Sequence, residues 1–387
     1  MIQWQENGEL FFARWHSENG ILPHKRILIG DDTLTADQAY RYACEGTAIL
    51  YRGDFQNARQ LLQALVRRVE RPSKKSQRLE KKNSVSPAVQ NPIDIFNQYR
   101  LAQSQRARIL GMILVHIQAD HTIPLRRAPD VRQACQEVYG TQTQSYVVSL
   151  RELLGVISAH EWRKKGVPIS LGEGREIRIH PHYGVFSPVR GEYIDLVLNA
   201  PLPKALQASS TAFDIGVGSG VLSVLLASRQ IERIVATDQD DRAINCAKEN
   251  IERLNFANRI SVEKAHLFPR GKAALIVCNP PWLPARPSSP LEHAVYDPGS
   301  QMLKGFLAGL KDHLLPGGEG WLVLSDLAEH LGLRSREQLL SWIEDADLKV
   351  IDRMEIKPRH PKASDLTNPL YVARSREMTS LWRLAPR

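Results

Sequence analysis

Residues 212–240 read AFDIGVGSGVLSVLLASRQIERIVATDQD. An apolar, β-rich run, AFDIGV, enters the turn Asp214-Ile-Gly216-Val-Gly218-Ser-Gly220. A helical run, VLSVLLASR, follows, and then a second β-rich run, RIVAT, that ends at Asp238. Glycines between a strand and a helix permit a tight turn and let the backbone approach a ligand at the helix N-terminus. The spacing is GxGxG rather than GxGxxG, so the dinucleotide fingerprint fits poorly. Taken alone, the glycines also read as a plain strand-to-helix turn.

The same alternation continues downstream. RISVEKA, AALIVCN, GWLVLSD and LKVIDRMEI are strand candidates, separated by helical patterns such as DRAINCAKENIERL and SQMLKGFLAGLKDHLL. Strands alternating with helices predict βαβ units and a mostly parallel, doubly wound α/β sheet. The tail, MTSLWRL, reads as a last, antiparallel strand. Upstream, residues 1–69 read as a small mixed α/β unit. It holds a capped helix start at Thr35, a short strand in TAILYRG (47–53), and a helix over Asn57–Val69 with Ala58, Leu61, Leu62, Leu65 and Val66 on one face. Residues 70–92 are rich in Lys, Arg, Ser and Pro and read as a basic linker or loop. Six basic residues between Arg71 and Lys82 are placed to touch phosphate or simply to be solvated. Residues 93–170 read as a helical substrate-recognition region, with Ile109, Leu110, Ile113, Leu114 and Ile117 as one stripe and Tyr146–Trp162 as a further amphipathic helix. Residues 171–387 then form the doubly wound domain, and the whole front part is expected to be α-rich and mixed.

Composition narrows the class. The chain has 387 residues, 43% hydrophobic and 24% charged, which excludes collagen-like, disulfide-scaffold and wholly disordered chains. No apolar run approaches a membrane span, and the N-terminus lacks the basic and apolar regions of a secretory signal. Cys44, Cys135, Cys246 and Cys278 are scattered with no CxxC pair, so neither a metal site nor a disulfide framework is expected, and a reducing cytoplasm is the simplest setting. The 51 basic residues outnumber the 42 acidic ones, and most of the excess lies in the first 200 residues. That surface suits a polyanion such as RNA, and it is equally consistent with a basic surface that serves solubility.

Two further signals give the turn a chemistry. Asp238 closes the second strand about 20 residues after the glycines, where an acid can accept hydrogen bonds from two ribose hydroxyls. The competing role, capping the next helix, can be filled by Asp240 or Asp241. The strand AALIVC ends in Asn279-Pro280-Pro281-Trp282. Two prolines make a rigid, non-helical loop that has lost two backbone donors and keeps its carbonyl acceptors. The Asn279 side-chain oxygen and the Pro280 carbonyl can hold the two hydrogens of a planar amino group while its ring stacks on Trp282.

With these three features in this order, residues from about 180 to 387 resemble the class I S-adenosylmethionine-dependent methyltransferases that modify amino or amide nitrogens. The resemblance implies a Rossmann-like domain. It further implies that Asp214, Gly216, Gly218 and Gly220 meet the methionine part of S-adenosylmethionine, that Asp238 holds its ribose, and that Phe186, His266 and Asn279 complete the cofactor-binding set. Asn279, Pro280, Pro281 and Trp282 would be the catalytic motif. NPPWLP with the later VYDP (Val295–Pro298) looks like the release-factor glutamine methyltransferases, whereas GVFSPVRGEY (184–193) looks like the small-domain methyltransferases of ribosomal RNA guanines. The chain departs from the family pattern in having Trp282 where Tyr or Phe is commoner. It also has Ala265-His266-Leu267-Phe268 where an acid often meets the adenine. His180 and His182 are expected in structural or surface roles. The implied activity is N-methylation of a macromolecule, without metal or membrane. An RNA base is favoured over a glutamine of a ribosomal or translation protein. A non-catalytic, cofactor-binding RNA-interaction protein is the third reading.

Overall fold

The computed structural model describes residues 1–70, 91–172, 174–188, 191–287, 292, 294–359 and 365–387. Most of the basic stretch expected as a linker, including Arg71–Lys82, lies outside them. The chain divides into two compact units, one of Met1–Gln90 with Asn97–Glu161, the other of Asn91–Phe96 with Trp162–Arg387.

The first unit is built on a six-stranded sheet in the order β1-β2-β6-β5-β4-β3. Its strands are β1 (Ile2–Glu6), β2 (Glu9–Trp15), β3 (Ile27–Gly30), β4 (Ala48–Tyr51), β5 (Ile113–Ile117) and β6 (Tyr146–Ser149). Asn7 and Gly8, both at positive φ, close the β1–β2 hairpin, as a two-residue turn matched to strand twist requires. The helices are α1 (Ala36–Cys44), α2 (Phe55–Glu70), α3 (Pro92–Leu110), α4 (Arg132–Tyr139) and α5 (Leu150–Lys165). Helix α1 starts as expected, with Thr35 and Gln38 forming a reciprocal capping box.

Residues 93–170 are helical over α3, α4 and α5, but they also contribute two strands, β5 and β6, to the first sheet, so residues 97–161 share one unit with residues 1–70. The stripe at 109–117 breaks at Gly111. Helix α3 ends at Leu110, and the β-branched run ILVHI becomes β5, a central strand between β4 and β6. Tyr146–Ser149 likewise forms β6, with all four residues buried, and the helix begins only at Leu150. A short apolar run buried on both faces has no period of its own, so helix and strand look alike in sequence.

The second unit opens with a two-stranded hairpin, β7 (Val167–Ser170) and β8 (Glu176–Ile179). A seven-stranded sheet follows, in the order β11-β10-β9-β12-β13-β15-β14. Its members are β9 (Thr211–Ile215), β10 (Arg233–Asp238), β11 (Ile260–Lys264), β12 (Ala273–Cys278), β13 (Leu314–Ser325), β14 (Leu348–Ile356) and β15 (Thr379–Pro386). Strands β9 to β13 pair in parallel, and β15 inserts antiparallel to both β13 and β14, so the tail is the antiparallel strand anticipated. Side chains alternate between the faces. Ala212, Leu275, Val277, Trp321 and Val323 pack with α6 (Glu192–Asn199) and α7 (Val221–Ser228), and α8 (Asp241–Arg253) borders the same layer. Phe213, Ile276, Leu322 and Leu324 pack on the opposite side with α9 (Gln301–His313) and α11 (Arg336–Asp345). The short helices α10 (Leu327–His330) and α12 (Tyr371–Arg376) sit in the connections beside β13 and β15. Strand order reverses between β9 and β12. Ligands of open α/β sheets bind at such a switch point, outside the strand C-termini. Among the described residues no helix is long and apolar enough to cross a membrane. All four cysteines are free thiols.

Candidate active site

The glycine turn leaves β9 at that switch point. Gly216, Gly218 and Gly220 have φ of 81°, 52° and 84°. The N–H groups of Gly216 and Val217 both donate to the Thr237 carbonyl at 2.9 and 2.8 Å, which ties the turn to β10. A Cβ on Gly216 would sit 2.6 Å from the Met302 methyl carbon, whereas one on Gly218 would meet nothing within 4 Å. Gly216 thus permits close packing, and Gly218 leaves open space over the turn.

Asp214 is fully buried beneath the turn. One carboxylate oxygen accepts from the Ser223 hydroxyl at 2.5 Å. The other is buried with no hydrogen-bond partner among the described residues, as are the Tyr193 hydroxyl, Glu192 Oε1 and the Ser219 hydroxyl. The charges of Asp214 and Glu192 both act on the Tyr193 phenol, whose pKa burial already raises, so these groups share one neighbourhood. Phe186 is half-buried, its ring 6.4 Å from that of Tyr193. Burial pushes the Asp214 carboxyl up to about 7, against the pull of its hydrogen bonds with Ser223. Buried polar groups are ordinarily paired. Four orphans beside an open glycine turn suit a small polar ligand, and unpaired acidic oxygens suit a cationic part of it.

Asp238 ends β10 beside the turn. Its Oδ2 accepts from the Gly218 N–H at 3.2 Å and its Oδ1 from the Asp240 N–H at 3.0 Å. Desolvation raises its pKa above the ordinary carboxylate value. Asp240, not Asp238, caps α8 by accepting from the Arg242 N–H at 2.9 Å. The Ala265 N–H donates to the Asp238 carbonyl, and the next residue, His266, is exposed.

The third loop leaves β12. Asn279 and Trp282 are half-buried and Pro280 is buried. The Trp282 indole N–H donates to Asn279 Oδ1 at 2.8 Å. From sequence, Asn279 has an acceptor role and Trp282 a stacking role; here the indole also orients the amide. An amide oxygen has two lone pairs, so one remains for a ligand. A Phe or Tyr ring has no N–H at that place, which gives the unusual Trp a reason. Burial, together with the charges of Asp214, Asp297 and Asp238, raises the thiol pKa of Cys278, the last residue of β12, so all three acids lie around one strand end.

Asp297 is the main residue whose role the sequence left undefined. Its N–H donates to the Leu283 carbonyl at 2.8 Å, directly after the NPPW motif. Its carboxylate accepts from the Met302 and Leu303 N–H groups at 3.1 and 3.2 Å, satisfying the first turn of α9. Ser300, at positive φ, makes no side-chain cap there. The signal was present as an acid shortly before an amphipathic helix, within VYDP. Asn250, fully buried, accepts from the His180 N–H and donates to the Ser219 carbonyl, fastening the segment after β8 to the glycine turn. His180 contacts the Arg163 carbonyl and His182 contacts Glu249, in keeping with the structural roles expected.

The family described as "Methyltransferase small domain" matches residues 176–341. A tRNA1(Val) (adenine(37)-N6)-methyltransferase of a Shewanella species is 29% identical over 166 residues, which cover 40% of this chain and 67% of that protein. A Methanocaldococcus jannaschii protein, provisionally named a protein N5-glutamine methyltransferase, is 30% identical over 163 residues, covering 40% of this chain and 78% of that one. A ribosomal protein L11 methyltransferase of Alkaliphilus metalliredigens is 27% identical over 139 residues, 31% of this chain. The chain spans only 43% of that last relative's length. The matched region contains the glycine turn, Asp238 and the NPPW loop, and on that footing the chain belongs to the methyltransferase small domain family.

Proposed function

We propose that the second unit is an S-adenosylmethionine-dependent methyltransferase acting on a planar amino nitrogen of a macromolecule, with an RNA base as the acceptor. The observation that carries the reading is the gathering of the Asp214 turn, Asp238 and the NPPW loop around the C-termini of β9, β10 and β12. The residues fit the cofactor. Asp214, Glu192, Tyr193 and Ser219 offer unpartnered buried oxygens to an ammonium group. Asp238, its carboxylate steadied by the Gly218 and Asp240 N–H groups, would take the ribose hydroxyls. Gly216 and Gly220 shape the turn, Gly218 leaves it open, and Phe186 and His266 flank the same region. When bound, S-adenosylmethionine supplies a methyl group already activated by its sulfonium. The protein therefore mainly positions and desolvates.

For the acceptor, the Asn279 oxygen and the Pro280 carbonyl hold the two amino hydrogens and turn the nitrogen lone pair out of conjugation. The indole N–H of Trp282 fixes the Asn279 amide, so little reorganisation remains at the moment of transfer. A base reaches this loop once flipped from its stack. RNA is favoured by the excess of 51 basic over 42 acidic residues and by the tRNA-modifying relative. A protein glutamine is the second reading, favoured by the archaeal relative and by NPPWLP with VYDP. The four free thiols accord with a reducing compartment, the cytoplasm.

Incubation with methyl-labelled cofactor and extract from a strain lacking the gene tests the reading. Label released by ribonuclease supports the RNA acceptor, label released by protease supports glutamine, and no transfer at all supports a binding protein without turnover.

A further inference from the structure

Arg334 lies in the turn between α10 and α11, its N–H directed at the Ala328 carbonyl at 3.3 Å. It is only 3% exposed. Its Nε and Nη2 are buried with no hydrogen-bond partner among the described residues. Those two nitrogens form the edge of a guanidinium that meets two oxygens at once. The chain uses that edge elsewhere: Arg383 presents Nε and Nη2 to Glu319 at 2.9 and 2.8 Å. Two carboxylates lie close enough for their charge to act on Arg334, Glu329 and Asp297. Both are committed. The Glu329 oxygens accept from Arg336 Nε at 2.7 and 2.9 Å, and those of Asp297 accept from the backbone of α9. A buried, unpaired guanidinium is strongly destabilising unless an anion completes it.

Its place in the fold says which anion. Helix α10 follows the C-terminus of β13, next in the sheet to β12 and its NPPW loop. Asp297, whose charge acts on Arg334, donates its N–H to the Leu283 carbonyl of that same loop. We propose that Arg334 receives a backbone phosphate of the RNA acceptor, adjacent to the nucleotide whose amino group Asn279 holds. This rests on the RNA reading above. Two non-bridging phosphate oxygens match the free edge, and a glutamine side chain carries no such group. The edge is buried in the structure, so the assignment requires the 331–335 turn to move aside for the phosphate.

The test uses the full chain, labelled cofactor and total RNA from the deletion strain. Wild type, Arg334→Lys and Arg334→Gln are compared for KM and kcat, for RNA affinity by filter binding across a salt series, for cofactor affinity by calorimetry, and for thermal midpoint. Arg334→Gln is expected to weaken RNA binding and raise KM about 10- to 100-fold, with kcat and cofactor affinity within about twofold. Its salt slope should flatten by about 0.7–0.9, one phosphate contact. Arg334→Lys should keep the slope and lose part of the affinity, since the charge stays and the fork goes. The midpoint should not fall, because an unpaired buried charge is removed. Unchanged RNA affinity and KM in Arg334→Gln, or a lowered midpoint with an unchanged salt slope, overturns the phosphate assignment alone. Label that enters only protein overturns the RNA reading and this assignment together, whatever the variants do.

Discussion

The hydrogen bond between Trp282 and Asn279 can be weighed by a double-mutant cycle. Asn279→Ala removes an acceptor that the two prolines hold in place. By analogy with losing one preorganised oxyanion-hole donor, this should cost about 3–4 kcal/mol, or 10²–10³ in rate. Trp282→Phe keeps an aromatic face but removes the indole N–H that donates to Asn279 Oδ1 at 2.8 Å. A neutral hydrogen bond in a half-buried setting is worth about 0.5–1.5 kcal/mol. The smaller ring also gives up packing against both layers of the core, where Trp282 sits. The single variant should therefore slow transfer roughly 5- to 30-fold by these two losses. In the Asn279→Ala background the indole has nothing to orient, so Trp282→Phe should there cost only its packing. The expected coupling is about 1 kcal/mol. The assay is single-turnover transfer at saturating cofactor, after circular dichroism confirms folding. Additivity within about 0.3 kcal/mol would refute the positioning role of Trp282, and a wild-type rate for Asn279→Ala would remove the NPPW loop from the chemistry.

Other outcomes follow from the same geometry. Asp238→Ala should weaken S-adenosylmethionine binding by roughly 1.5–3 kcal/mol for each ribose hydrogen bond lost, and unchanged affinity by calorimetry would take Asp238 out of the site. Asp214, with its carboxyl raised to about 7, favours its protonated form in the folded protein. The ligand-free fold should therefore lose stability as pH rises from about 4 toward 7, the interval between unfolded and folded values. Cofactor affinity should rise over the upper part of that interval as the carboxylate ionises to meet an ammonium. Asp214→Asn should abolish both trends, and trends that persist in the variant would assign them elsewhere. Asp297→Ala leaves two N–H groups of α9 without their acceptor, so the thermal midpoint should fall by an amount equivalent to about 1–2 kcal/mol. The acceptor KM should rise with it, because the backbone at 297, whose N–H holds the Leu283 carbonyl, is no longer tied to α9 through its side chain. An unshifted midpoint would show that α9 finds another cap.

The doubly wound half was legible in the sequence because each of its decisive features is local. The turn at 214–220, the acid closing β10 and the prolines after β12 each sit at a strand end that hydrophobic pattern and glycine or proline chemistry mark without help from distant residues. The antiparallel tail followed from the same alternation. The front half was not legible in this way. ILVHI and YVVS are short apolar runs, buried on both faces and flanked by helical segments, and only their places in the six-stranded sheet separate strand from helix. Contacts distant in sequence were likewise invisible. The orphaned oxygens of Asp214 and Tyr193 come together because α6 packs against α7 and the β14–β15 end of the sheet. Asp297 meets α9 through its carboxylate and Leu283 through its backbone N–H. Arg334 loses its partners because neighbouring chains of hydrogen bonds claim both nearby carboxylates. Composition and periodicity report what one segment prefers. Which polar group is left unpaired depends on every element that packs around it, and that is decided only when the chain is folded.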